Sequence, residues 1–170
     1  MADQLTNTYD SWPQVFTDGS TNPATGTSSA AFVIPDAGIE QSHRLNFATT
    51  STTAELAAIG AALDALQGFT PCKTVILSDS RSALSNLDDL DQAPFLAKCV
   101  ADKASKLCMQ GFQLAFQWIP SHMGIGGNER ADTLASKAHQ QEEPNLQAKA
   151  TTAENSKMLA LEKQVLLLVT

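Results

Sequence analysis

Between Gln14 and Asn46 the apolar positions fall in short runs broken by turn residues, the spacing of strands rather than helices. Gln14–Gly19 alternates little and predicts a central strand covered on both faces. Thr21–Ser28 is rich in Thr, Asn, Pro, Gly and Ser and reads as a turn. Ser29–Ile34 reads as a second strand closed by Pro35-Asp36-Ala37-Gly38, and Ile39–Asn46 as a third, making an antiparallel meander. The period then changes. Leu56, Ile59, Leu63 and Leu66 recur at 3, 4, 3 spacing, so Ser51–Gln67 is a helix with Thr52 or Thr53 as its cap and Gly68 as its stop. Thr74–Ser78 is a β-branched run suited to a buried parallel strand. Arg81–Leu87 and Pro94–Gln110 read as helices, Phe112–Ile119 as a fifth strand and Gly127–His139 as the last helix. The order β-β-β-α-β-α-α-β-α predicts an α/β fold. Its five-stranded mixed sheet, three antiparallel strands then two parallel, is flanked by helices.

The flanks differ in character. Residues 1–13 form a polar lead-in to a domain spanning 14–140, and 141–170 form a linker and a candidate C-terminal amphipathic helix. Thr151-Thr152-Ala153-Glu154 fits a capping box, after which Met158, Leu161, Val165 and Leu168 again recur at 3, 4, 3 spacing. That helix either folds back on the domain or offers residues 151–170 to a partner or a second copy; otherwise the chain is expected to be a monomer.

With 170 residues, 43% of them hydrophobic, the chain can bury a full core. Cys72, Cys99 and Cys108 are odd in number and lack C-x-x-C spacing. They predict a reduced intracellular protein, cytoplasmic or nuclear, with the cysteines as small core residues. No basic, apolar leader opens the sequence, and no apolar run approaches the roughly 20 residues of a membrane span. The net charge of −7 argues against an ordinary basic nucleic-acid binder, unless clustered carboxylates hold divalent cations.

Four acids stand out. Asp18 lies in Thr17-Asp18-Gly19-Ser20, Glu55 in Thr53-Ala54-Glu55-Leu56 and Asp79 in Ser78-Asp79-Ser80. Asp132 lies about one turn into the last helix, after a glycine-rich loop that carries His122. Glu55 precedes Ile59 by four and so borders the apolar face, where a carboxylate is costly without a partner. Asp79 ends a parallel strand, where open α/β sheets place their sites. Singly, each acid has an ordinary reading: a turn residue, a first-turn acid, a helix cap, a solvated helix residue. His122 alone is a surface loop residue, and His43 and His139 are surface or structural. Trp118 is expected to pack near the site, and Lys98, Lys103 and Lys106 suit either a solvated helix face or a phosphate backbone.

Taken together, T-D-G-S, T-A-E-L, S-D-S and H-M-G-I-G-G-N-E-R-A-D resemble type I ribonuclease H over roughly residues 14–140. The segment I-P-S-H-M-G-I-G-G-N-E-R-A-D is most similar to the ribonuclease H domains of non-LTR retrotransposons. The resemblance implies a ribonuclease H-like fold and an endonuclease that cuts the RNA strand of RNA–DNA hybrids. It implies that Asp18, Glu55, Asp79 and Asp132 hold two Mg²⁺, with Mn²⁺ an alternative, Asp18 being shared between them. His122 would move protons or help product leave. Gly19, Ser20, Asn22, Ser51 and Thr52 would contact the hybrid. Hydrolysis of a phosphodiester needs an activated water and a stabilised leaving oxygen; two metals held by carboxylates supply both. The competing reading is a catalytically silent module of the same fold that binds nucleic acid or protein. A proofreading exonuclease would want Asp-x-Glu on the first strand, and an integrase would end in Glu where Asp132 stands.

Overall fold

The computed structural model of the chain describes residues 9–142 and Pro144, so the C-terminal amphipathic helix and most of the linker lie outside the described residues. The strands are β1 (Gln14–Asn22), β2 (Thr27–Ile34), β3 (Ile39–Arg44), β4 (Lys73–Ser78) and β5 (Gln113–Trp118). They form one sheet in the order β3-β2-β1-β4-β5. β1–β2 and β2–β3 pair antiparallel, and β1–β4 and β4–β5 pair parallel, as the element order predicts. The helices among the described residues are α1 (Ser51–Leu66), α2 (Arg81–Asp88), α3 (Phe95–Met109) and α4 (Gly126–Ala138), with a 3-10 turn at Pro35–Ala37.

Neighbouring residues of a strand point to opposite faces, and the core divides accordingly. Val15, Phe32 and Ile76 pack with Leu56, Ile59 and Leu63 of α1 and with α3 on one face. Phe16, Val33, Val75, Leu77 and Ile119 pack with Ala131 of α4 on the other. β1 is therefore central and covered on both faces, as expected. Tyr9 and Trp12 of the lead-in also pack on the α4 face.

The structure widens or moves several expectations. α1 is buried nearly all round, because Ala54, Ala57, Ala58, Gly60, Ala61 and Ala62 let it lie between the sheet and α3. Large apolar residues alone mark just one face of it. Thr21 and Asn22 extend β1, pairing with Ser28 and Thr27, so the expected Thr21–Ser28 turn shrinks to residues 23–26. Threonine favours strands, and Gly26 at φ 65 makes the tight return. The cap of α1 is Thr50, whose hydroxyl accepts from the Thr53 N–H at 3.2 Å, not Thr52 or Thr53, because the helix already starts at Ser51. Cys72 and Cys108 are exposed and Cys99 is half-buried, so the cysteines are not core residues, and none of the three forms a disulfide among the described residues.

Two glycines allow close approaches that place the site. A Cβ on Gly19 would stand 2.2 Å from the Glu55 nitrogen and 2.3 Å from the Ala54 carbonyl carbon. A Cβ on Gly127 would stand 2.3 Å from the Phe16 ring. α1 and α4 thus press directly on β1 from either face.

Candidate active site and metal centre

The parallel register of β1 and β4 sets Thr17 opposite Ser78, so the next residues, Asp18 and Asp79, emerge side by side. The contact of α1 with Gly19 brings Glu55 to the same point. Carboxylate oxygens of Asp18, Glu55 and Asp79 all lie within 4.8 Å of one another. Asp18 and Glu55 are each only 6% exposed. Burial first, then the charges of Asp79 and Asp132, push the Asp18 carboxyl up to about 7. Burial, then the charges of Asp18 and Asp79, push Glu55 up to about 9, against the pull of a backbone hydrogen bond from Gly19. Oε2 of Glu55 is buried with no hydrogen-bond partner. Asp132, half-buried on α4, lies outside the close group of three but adds to its field.

Such a cluster of hard oxygen donors, with Asp18 and Glu55 pushed up chiefly by burial and then by neighbouring charge, and with an unused buried lone pair on Glu55, fits a hard divalent cation. The RNase H family model matches residues 12–140. The chain belongs to the RNase H family. It is 28% identical over 137 residues to a Ribonuclease H of Granulibacter bethesdensis, an alignment covering 74% of this chain and 90% of that protein. The mixed sheet and its flanking helices are accordingly an RNase H-like fold.

In this RNase H-family chain one side chain near the carboxylates escaped the sequence reading. Asn128 of α4 is 3% exposed. Its Nδ2 donates to Oδ2 of Asp79 at 3.3 Å, and its Oδ1 is buried without a partner. Asn128 precedes Asp132 by four and so shares its helix face, which is the signal that finds it. Asp79 is held a second time, its carbonyl oxygen accepting from the Trp118 indole N–H at 3.0 Å. Ser80, not Asp79, caps α2 through the Ala83 N–H.

His122 is exposed in its loop, with a left-handed backbone at φ 55, and is not part of the close carboxylate group. Of the expected substrate contacts, Gly19 packs against α1 and Ser51 is exposed at the start of α1. Thr52 Oγ1 lies 2.9 Å from Ser82 Oγ, joining α1 to α2. Ser20 Oγ lies 3.0 Å from His139 Nε2, on the α4 side. Asn22 Oδ1 accepts from the Ala24 N–H within the hairpin. His139 also meets Thr27 Oγ1 at 2.7 Å, and His43 stacks on Phe32, so both histidines have structural roles. Lys103 pairs with Asp64 and Lys106 with Asp102, which leaves Lys98 as the lysine of α3 without an ion pair among the described residues.

Proposed function

We propose that the chain is an endonuclease that hydrolyses the RNA strand of RNA–DNA hybrids with two divalent cations, Mg²⁺ or alternatively Mn²⁺. The observation that carries this reading is the buried cluster of Asp18, Glu55 and Asp79, two of whose carboxyls are pushed far above the usual range. A cation removes that electrostatic cost. Asp18, Glu55 and Asp79 would hold one cation, and Asp18 with Asp132 the other. Bound there, the cations supply an activated water and neutralise charge at the scissile phosphate. The protein's own part is to place Asp18, Glu55 and Asp79, through the Gly19 contact and the Asn128 and Trp118 bonds to Asp79. His122, exposed on its left-handed turn, moves a proton or eases product release as the loop shifts.

Choosing RNA over DNA means reading 2′-hydroxyls across a shallow minor groove. Backbone groups and short polar side chains at Gly19, Ser20, Asn22, Ser51 and Thr52 are suited to that. The Granulibacter relative, named a Ribonuclease H, supports the same activity. The segment Ile119–Asp132 supports a chain of the non-LTR retrotransposon type. We assign catalysis to residues 14–140, acting inside the cell as a monomer unless residues 151–170 associate with a partner or a second copy. No helix among the described residues is long and apolar enough to cross a membrane.

The test is cleavage of an end-labelled RNA–DNA hybrid, with duplex DNA and duplex RNA as controls, in Mg²⁺, Mn²⁺ or chelator. Metal-dependent cutting of only the RNA strand of the hybrid, abolished by Asp79→Asn, is the expected result. A folded chain that binds the hybrid but cuts nothing with either metal would turn the reading to the silent module.

A further inference from the structure

Four of the eight lysines and arginines among the described residues are engaged in ion pairs or hydrogen bonds. Lys103, Lys106 and Arg130 form ion pairs with Asp64, Asp102 and Glu40. Arg44 donates to the backbone oxygens of Gln141 and Glu142. Arg81 is placed differently. It opens α2 two residues after Asp79 and is exposed, and among the described residues no carboxylate pairs with it. Its guanidinium carbon lies 3.9 Å from the centroid of the Trp118 ring. The indole N–H of that same ring donates to the Asp79 carbonyl oxygen at 3.0 Å.

This arrangement has two physical consequences. A guanidinium held over an aromatic ring spends none of its N–H groups on a carboxylate, so the planar fork that matches a phosphate remains available. The ring also restrains the side chain, so that a cation so close in sequence to Asp79 need not collapse onto that carboxylate and compete for its oxygens. The strip beside it is polar: Ser82 Oγ lies 2.9 Å from Thr52 Oγ1 and 3.3 Å from Ser80 Oγ. A chain of net charge −7 must bring a polyanion to a cluster of carboxylates, and a positive contact at the rim of that cluster offsets the repulsion.

We propose that Arg81, held by the Trp118 ring, contacts a backbone phosphate of the bound hybrid next to the carboxylate site. The proposal rests on the hybrid-cleaving reading above. It makes Arg81 a binding residue, and Trp118 the positioning residue that aims it.

The experiment measures kcat and KM on a labelled RNA–DNA hybrid in Mg²⁺ over a series of KCl concentrations. It compares the natural chain with Arg81→Ala, Arg81→Gln and Arg81→Lys, each checked for folding by thermal melting. In the Ala and Gln variants KM is expected to rise roughly tenfold with kcat within about twofold, the loss of one charge-assisted contact. The slope of log kcat/KM against log salt is expected to become shallower by about one, as for the loss of one phosphate contact. Arg81→Lys should restore the salt slope and recover only part of the affinity, because lysine keeps the charge but not the stacked fork. An unchanged KM and salt slope in a folded Arg81→Ala would overturn the proposal while leaving the nuclease intact. So would a fall in kcat at constant KM, which would mean that Arg81 acts on Asp79 through Trp118. A natural chain that cuts no hybrid with either metal would remove the nuclease reading itself, and this contact with it.

Discussion

Replacing Asp18 by Asn should make the metal-free protein more stable. Asp18 is 6% exposed, and burial with the charges of Asp79 and Asp132 raises its carboxyl from 3.8 to about 7. The folded chain therefore holds this proton more tightly than the unfolded chain. The stability Asp18 contributes is full below about pH 4 and is lost as pH rises through about 7. At pH 8 the ionised, buried carboxylate costs on the order of 4 kcal/mol relative to its protonated form. Asparagine never ionises, though burying its amide carries its own penalty of roughly 1–3 kcal/mol. The net gain at pH 8 is then about 1–3 kcal/mol, and each kcal/mol moves the melting temperature by about 2–4 °C for a chain of this size. The assay is thermal unfolding by circular dichroism in chelator at pH 5, 7 and 8. The advantage of Asp18→Asn should be largest at pH 8 and shrink towards pH 5. In saturating Mg²⁺ the order should reverse, because the cation stabilises only the chain that binds it. Glu55, pushed from 4.5 up to about 9, is ionised in the unfolded chain at pH 8 and must take up a proton to fold, so Glu55→Gln should likewise stabilise the metal-free chain, by an amount that grows as pH rises from about 4.5 to about 9. An Asp18→Asn protein less stable than the natural chain at pH 8 in chelator, or an advantage independent of pH, would refute the argument.

Two further substitutions probe how the site is held. Gly19→Ala puts a methyl group 2.2 Å from the Glu55 backbone nitrogen, which cannot yield; a loss of about 3 kcal/mol or more is expected in denaturant titration, and an unchanged midpoint would contradict the close packing of α1 on β1. Asn128→Ala removes the amide that holds the Asp79 carboxylate, so the Mg²⁺ concentration for half-maximal rate should rise roughly tenfold while stability changes by only about 1 kcal/mol. A rate profile unchanged in Mg²⁺ would mean the contact does not position the metal ligand.

The sheet and helices were legible because the hydrophobic period changes cleanly between Asn46 and Ser51, from strand-like runs to the Leu56–Leu66 helical spacing. The order of the acids along the chain pointed to the three that the fold gathers, Asp18, Glu55 and Asp79, while Asp132 stands outside that close group. What escaped has physical reasons. Thr and Ser fit strands, turns and caps alike, so the run Thr49–Thr53 did not reveal which hydroxyl caps α1, nor did Thr21 and Thr27 reveal a longer hairpin. Alanine is weakly hydrophobic, so the full burial of α1 lay hidden behind its leucines. The cysteines misled because burial was inferred from residue type, whereas Cys72 and Cys108 sit at element edges. Asn128 carries no charge and was passed over beside Asp132. The stacking of Arg81 on Trp118 joins residues 37 apart in sequence, beyond the reach of any local pattern.

The absence of a side chain at Gly19 has a consequence for how this centre can be altered. With the Glu55 main chain seated against the main chain of β1, the gap between the Asp18 and Glu55 backbones is a ruler made of peptide groups. Repacking the leucines beneath α1 can soften the molecule without resetting that ruler. Retuning the centre for a larger cation would thus call for an inserted or deleted residue before α1, not a new choice of core side chains.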